Sequence, residues 1–222
     1  MLVNVGKLMS HTSTKGGGGV KHPFNPSLVD AWFMSGLSNA DKPGSITGVM
    51  GNEMILKNFA FTSESGFGEG NYEGAFVFDS IDDYAIMQNV TKGFKTLFME
   101  VIPSLTTDKS GFLYDQRVGQ TSFGISISLN HIAYNAYNWG GVTYINRKLN
   151  TTMNGKEVYL KHQIITIVNG TDLKPQKVVL GGDIGLSGYF SNMALYKLIG
   201  FYDELTPLQI EKVINDYKLK YN

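Results

Sequence analysis

Between residues 24 and 202 the chain is a succession of short apolar segments set apart by Gly, Asn, Asp or Pro. Leu28 to Phe33 is a compact apolar run, and Asn52 to Phe61 alternates loosely through Met54, Leu56 and Phe59. Further segments fall at Gly74 to Phe78, Tyr84 to Met87, Thr96 to Ile102, Gly111 to Tyr114, Ser122 to Leu129, His131 to Tyr137 and Val142 to Asn146. Val158 to Leu160, Ile164 to Val168, Val178 to Leu180 and Ala194 to Phe201 complete the series. Short segments rich in β-branched and aromatic residues, at near-regular spacing, predict a sandwich or barrel rather than βαβ units. The clearest alternation runs from Phe123 through Ile125 and Ile127 to Leu129, with small polar residues on the other face. Thr62 to Asn71 holds Gly66, Gly68 and Gly70 and predicts a loop.

One helix is expected, after Thr206. Thr206-Pro207-Leu208-Gln209 is a capping box with proline at the first helical position, where its missing N–H costs nothing. Leu208, Ile210, Val213, Ile214 and Tyr217 follow as a broad apolar stripe, predicted to brace the sandwich. Residues 1–22 differ from the rest: Leu2, Val3, Val5, Leu8 and Met9 form a small apolar tag, then a polar stretch leads into Gly16 to Gly19. This reads as a packing arm on a flexible glycine-rich linker, with one sandwich domain over 23–222.

Composition narrows the function. With 19 basic and 19 acidic residues the net charge is zero, so no basic excess exists to displace counterions from a phosphate backbone or to hold an anionic membrane. Zero cysteine removes disulfides, thiolate zinc sites and cysteine nucleophiles. No secretory leader or membrane-spanning segment is visible in the sequence, which predicts synthesis and folding in a cytoplasm.

Two stretches carry a family resemblance. Gly74-Ala-Phe-Val-Phe-Asp79-Ser-Ile-Asp82-Asp83-Tyr84-Ala85 resembles the "F-D-G, D-D-Y" hairpin of concanavalin A-like domains of the laminin-G type, with Ser80 where the family has glycine. Phe190 to Leu205, ahead of the Thr206 helix, is similar to that family's closing strand, with Asn192 at a second glycine position. Phe94 to Pro103 and Val178 to Gly182 resemble two intervening strands in the same order. The resemblance spans roughly residues 24–220 and implies an all-β, concanavalin A-like jelly-roll β-sandwich with a flexible N-terminal arm and a short C-terminal helix. Domains of this kind serve as lectin-like binding units and as virion components. A glycine-linked arm without a leader resembles phage virion proteins, made in a host cytoplasm and assembled into the particle. The alternative location is a bacterial cell surface or cytoplasm.

Candidate chemistry is sparse. Asp79, Asp82 and Asp83 offer oxygen ligands for calcium, or else Asp79 and Asp82 accept backbone amides in a tight turn between strands; the spacing lacks the glycine and distal glutamate of an EF-hand. Two-carboxylate glycoside hydrolysis needs a pair roughly 5–9.5 Å apart, and no alternate-residue pair on one strand supplies it. Glu100 has Phe98 and Ile102 as same-face neighbours, so no enzyme is expected. His11, His22, His131 and His162 show no metal-ligand spacing and are expected as structural or surface residues.

The stretch Asn130 to Gly141 is the densest in amide and aromatic side chains. Trp139, Tyr137, Tyr134, Asn138, Asn135 and Asn130 could stack on the apolar face of a sugar and bridge its hydroxyls. Equally, they could be half-buried tyrosines and turn asparagines of a hairpin. The leading expectation is a non-enzymatic phage fibre or decoration protein that binds host glycan, joined to other virion proteins through its arm. Exchange of arms between protomers would make it a homotrimer. Alternatives are a bacterial carbohydrate-binding module and a glycoside hydrolase or lyase. No cofactor is expected unless calcium sits on the aspartates.

Overall fold

A computed structural model describes residues 28–222, apart from 88–92, 104, 106–110, 117–123, 128–131, 135–140, 151–159, 170–176, 184 and 187; at 124–127, 132–134 and 150 it describes the backbone only. The arm of residues 1–22 therefore lies outside the described residues. So do Phe123 and Leu129, and most of the Val158 to Leu160 segment, whose last residue is a turn at positive φ.

Among the described residues, fifteen strands and one α-helix follow in order: β1 (Leu28–Phe33), β2 (Ser45–Thr47), β3 (Glu53–Lys57), β4 (Gly66–Phe67), β5 (Phe76–Asp79), β6 (Tyr84–Met87), β7 (Thr96–Ile102) and β8 (Gly111–Asp115), then β9 (Gly124–Ile127), β10 (Ile132–Tyr134), β11 (Val142–Ile145), β12 (Lys148–Asn150), β13 (Gln163–Val168), β14 (Val178–Leu180), β15 (Asn192–Phe201) and α1 (Pro207–Asp216). They form two sheets. The first runs β12-β11-β13-β7-β15-β5-β4 with β1 also on β15; the second runs β10-β9-β8-β14-β6-β3-β2. All named strand pairs are antiparallel. This is the all-β sandwich with one short C-terminal helix that the strand pattern predicts.

β15 organises the first sheet. It lies along β7 on one side, while on the other its first half pairs with β5 and its second half with β1. Inward side chains Trp32, Phe76, Phe78, Leu97, Met99, Val101, Ile165, Ile167, Met193, Leu195 and Leu198 meet Ile46, Met54, Leu56, Ala85, Met87, Val178 and Leu180 from the second sheet. Phe76 and Phe78 close on Phe59 at ring-centroid distances of 4.4 and 5.1 Å. β7 is buried at all seven positions because its outer face is covered too, which explains why it reads as a nearly unbroken apolar run.

The cover over much of that outer face is α1. Thr206 and Gln209 make the reciprocal cap, and Ile210, Val213 and Ile214 settle on Phe98, Ile164, Ile199 and Phe201. Burying each such side chain is worth about 1.5–3 kcal/mol. Leu208 is corrected: it is 84% exposed. It sits two residues ahead of Ile210, about 200° around a helix of 3.6 residues per turn, and so faces water.

Other departures have local causes. The 52–61 segment is strand only to Lys57, because Asn58 and Phe61 adopt φ of 68° and 57°. β4 falls inside the expected loop. Its two residues pair with β5, and Asn39 closes its far edge by accepting from Phe67 N–H at 2.7 Å and donating to Phe67 C=O at 2.8 Å. A side-chain amide thus stands in for a neighbouring strand.

Candidate functional site

The outer face of the first sheet has a covered half under α1 and an open half over β4, β5 and the start of β15. The two halves meet at Glu100, which is 3% exposed. A register shift between Leu195 and Lys197 inserts Tyr196 as an extra residue in β15. The bulge lets Lys197 reach Glu100 while Tyr196 packs on the open half. Lys197 Nζ lies 2.8 Å from Glu100 Oε2, and His162 Nε2 lies 3.1 Å from Oε1. Burial alone would raise the Glu100 pKa, but these two partners outweigh it and hold the group below the usual glutamate range. His162 is therefore a hydrogen-bond partner of Glu100 and a stacking surface, its ring 4.3 Å from that of Tyr196. Lys197 also donates to the carbonyls of Tyr217 and Lys218 at the end of α1, tying the brace to the sheet.

The acidic hairpin closes the other end. Asp79 accepts from the N–H of Ile81 at 2.7 Å, and Asp83 accepts from the N–H of Asp79 at 3.1 Å. Asp82 contributes through its carbonyl, which accepts from Asn58 at 3.0 Å. Ser80 sits at φ 66°, the left-handed conformation that a glycine would take without strain. The three carboxylates bring one oxygen each within 4.8 Å of one another. Asp83 is wholly buried, and burial pushes its pKa up to about 7; a Ser65 hydrogen bond opposes this, and the charges of Asp79 and Asp82 add to it. Asp79 thus has the turn-forming role expected of it, but the second carboxylate acceptor is Asp83 and not Asp82, whose side chain is exposed.

Between these ends lies a cleft of about 510 Å³, lined by Ser63, Glu64, Glu69, Gly70, Asn71, Tyr72, Val77, Leu105 and Asn192. Thr62 shapes one wall: its hydroxyl accepts from the N–H groups of Glu64 and Ser65 at 3.3 and 3.2 Å. A short 3-10 turn over Gly70–Tyr72 shapes the other. Gly68 is required there, because a Cβ would come within 2.6 Å of the Tyr72 carbonyl and 2.7 Å of its Cβ. That close approach presses Tyr72 against β4 and leaves its ring half-buried. Val77, Ala75, Ile102 and Ala194 form the apolar floor, with Tyr72, Leu105 and Tyr196 packed on it. Asn192 belongs both to the cleft and to the hairpin, since it is the register partner of Asp79. Burial raises the Tyr196 phenol pKa, and the charges of Glu100 and Tyr72 add to it, so cleft and ion pair are within electrostatic reach.

Of the residues expected to contact sugar, Asn130, Asn135, Tyr137, Asn138 and Trp139 lie outside the described residues. Tyr134 is placed by its backbone alone, opposite Ile125 in the β9–β10 pair. Five of the cleft residues, Ser63, Glu64, Glu69, Gly70 and Asn71, come instead from the segment read as loop. The available signal was a half-apolar tyrosine beside glycine-spaced polar residues, since loops fixed on a rigid sheet are common binding elements.

No family model matches the sequence, and no curated protein matches it. Solved structures do. A sialidase of Trypanosoma rangeli superposes with a TM-score of 0.52 at 10% identity, covering 88% of this chain and 33% of the sialidase chain. The same enzyme with the inhibitor DANA gives 0.51 at 13% identity, covering 84% and 32%. The botulinum neurotoxin serotype D binding domain is a looser likeness, with a TM-score of 0.45, 11% identity and coverage of 88% and 53%. The chain thus spans about a third of the length of the sialidases it matches, and what it shares with them is an all-β fold.

These likenesses correct one expectation. The lack of paired carboxylates argued against an enzyme, yet the matched structures are sialidases. Sialidases use a tyrosine nucleophile and stand outside the two-carboxylate rule. That rule therefore excludes no enzyme here.

Proposed function

We propose that the domain is a glycan-recognition module whose contact surface is the outer-sheet cleft around Tyr72. The observation that carries this reading is the lining itself: an aromatic ring on an apolar floor, ringed by the Asn71 and Asn192 amides, the Ser63 hydroxyl and two carboxylates. A pyranose offers a C–H face to such a ring and hydroxyls to such polar groups. Solved structures of sialidase with sialic acid and with DANA share the fold and support a saccharide ligand. The amide-rich stretch with Trp139, Tyr137 and Asn138 is a second contact surface in this proposal. The apolar tag and glycine linker of residues 1–22 support a place in a virion fibre or decoration protein, with the arm joining other virion proteins and linking three protomers.

Glycan-array binding by the full chain, followed by titration of the best ligand, tests the proposal. Tyr72→Ala is expected to weaken binding at least tenfold with a thermal midpoint within about 3 °C of wild type, as for a half-exposed ring. Trp139→Ala is expected to behave in the same way. Unchanged binding in both variants would refute both surfaces. Deletion of residues 1–22 is expected to prevent joining to the particle, and an arm-deleted protein that still joins would refute the anchoring role.

A further inference from the structure

The charge of the cleft selects among sugars. Its charged lining residues among the described residues are Glu64 and Glu69, with no Lys, Arg or His beside them. Glu64 accepts from the Ser63 hydroxyl at 2.6 Å, and that bond holds its pKa below the usual glutamate range, so it is an anion at neutral pH. Asp79 and the exposed Asp82 stand on the adjoining hairpin, where Asp79 faces Asn192 of the cleft across the strand pair. On this sheet face Lys197 is engaged by Glu100, and His162 hydrogen-bonds the other oxygen of the same carboxylate.

We infer that the cleft takes saccharides bearing no acidic group, neutral or amine-bearing, and rejects sialylated and sulfated ones. The inference rests on the glycan-recognition reading above. Its reason is chemical. A carboxylate is an acceptor only, so it binds a sugar through hydroxyl or ammonium donors. Brought against a second anion, it has no proton to share, and both must lose water without a partner. Recognition of a sialic acid carboxylate needs a cation or a cluster of N–H donors, typically a bidentate arginine. Among the described residues, the cleft lining provides neither an arginine nor a lysine. The fold is thus shared with sialidases while this surface has the opposite charge preference from one built for their ligand.

The test is a matched pair: N-acetyllactosamine and its α2,3-sialylated form, titrated calorimetrically into the full chain, with a glucosamine trimer as the cationic arm. The neutral sugar or the glucosamine trimer is expected to bind at least tenfold more tightly than the sialylated one. Raising salt from 50 to 500 mM should narrow that gap, because the repulsion is screened. The double variant Glu64→Gln/Glu69→Gln should narrow it as well, and Tyr72→Ala should weaken the neutral binding at least tenfold. Equal or tighter binding of the sialylated sugar overturns the inference and leaves glycan recognition standing. Neutral binding that Tyr72→Ala leaves unweakened also overturns it, since the selective surface would then lie elsewhere. Failure of all three sugars and of the array to bind overturns the glycan reading itself, and the inference with it.

Discussion

Asp83 offers the sharpest test of how the hairpin is built. Its carboxyl is wholly buried, one oxygen accepts from the N–H of Asp79, and the other has no hydrogen-bond partner. Its pKa is 3.8 in the unfolded chain and about 7 in the fold, chiefly through burial. Between those values the folded state holds a proton that the unfolded state has lost, so stability falls as pH rises from about 4 to about 7 and levels off above. Each tenfold change in proton affinity is about 1.4 kcal/mol, which caps this loss at about 4 kcal/mol. Asp83→Asn keeps an oxygen for the Asp79 N–H and puts an amide donor where the unpartnered oxygen was, beside Asp79 and Asp82. The variant should therefore match wild type within about 1 kcal/mol near pH 4 and exceed it by about 2–4 kcal/mol at pH 8. Urea unfolding of both proteins at unit intervals from pH 4 to 8 measures the difference, and other titrating groups cancel in it. A constant difference across that range, or a variant less stable at pH 8 than at pH 4 relative to wild type, would show that Asp83 does not titrate as a buried acid.

Two further outcomes follow from the outer face of the first sheet. Lys197→Met removes the ammonium from buried Glu100 and should cost about 3–5 kcal/mol in urea unfolding, partly restored by adding Glu100→Gln, whereas a loss below about 1 kcal/mol would mean that Lys197 is not what compensates the buried carboxylate. Along α1, Ile214→Ala should cost about 2–5 kcal/mol while Leu208→Lys changes stability by less than about 0.5 kcal/mol, and similar losses in both would contradict the helix orientation.

Much of the strand map was legible along the chain. β1, β6, β7 and β14 coincide with apolar runs visible in the sequence, β7 stopping at Pro103 and β14 at Gly181, because strands of a two-layer core are short and alternate with water-facing turns. The α1 start was equally legible, since a capping box is local chemistry among four neighbouring residues. What the sequence left open depends on partners distant along the chain. β4 exists because β5 and Asn39 satisfy its backbone from either side, and nothing inside a glycine-rich decapeptide announces that. Ser80 keeps a glycine-like turn because Asp79 and Asp83 hold the hairpin around it.

The ligand surface divides in the same way. Local residue content marked the amides and aromatics of 130–139 and the aspartates of 79–83, because composition is a property of a segment. It passed over Tyr72, Glu64, Glu69 and Asn192, which are 128 positions apart at their extremes and meet only when β5 pairs with β15. It also set Glu100 among apolar neighbours with no partner, whereas the β15 bulge and the β13 pairing bring a lysine and a histidine onto it. A one-dimensional pattern determines which faces are apolar and where the chain turns, because those depend on neighbours two to four residues away. Which charges meet across a sheet, and which anions are left to face a ligand, is decided by strand order and register, and these exist only in the folded molecule.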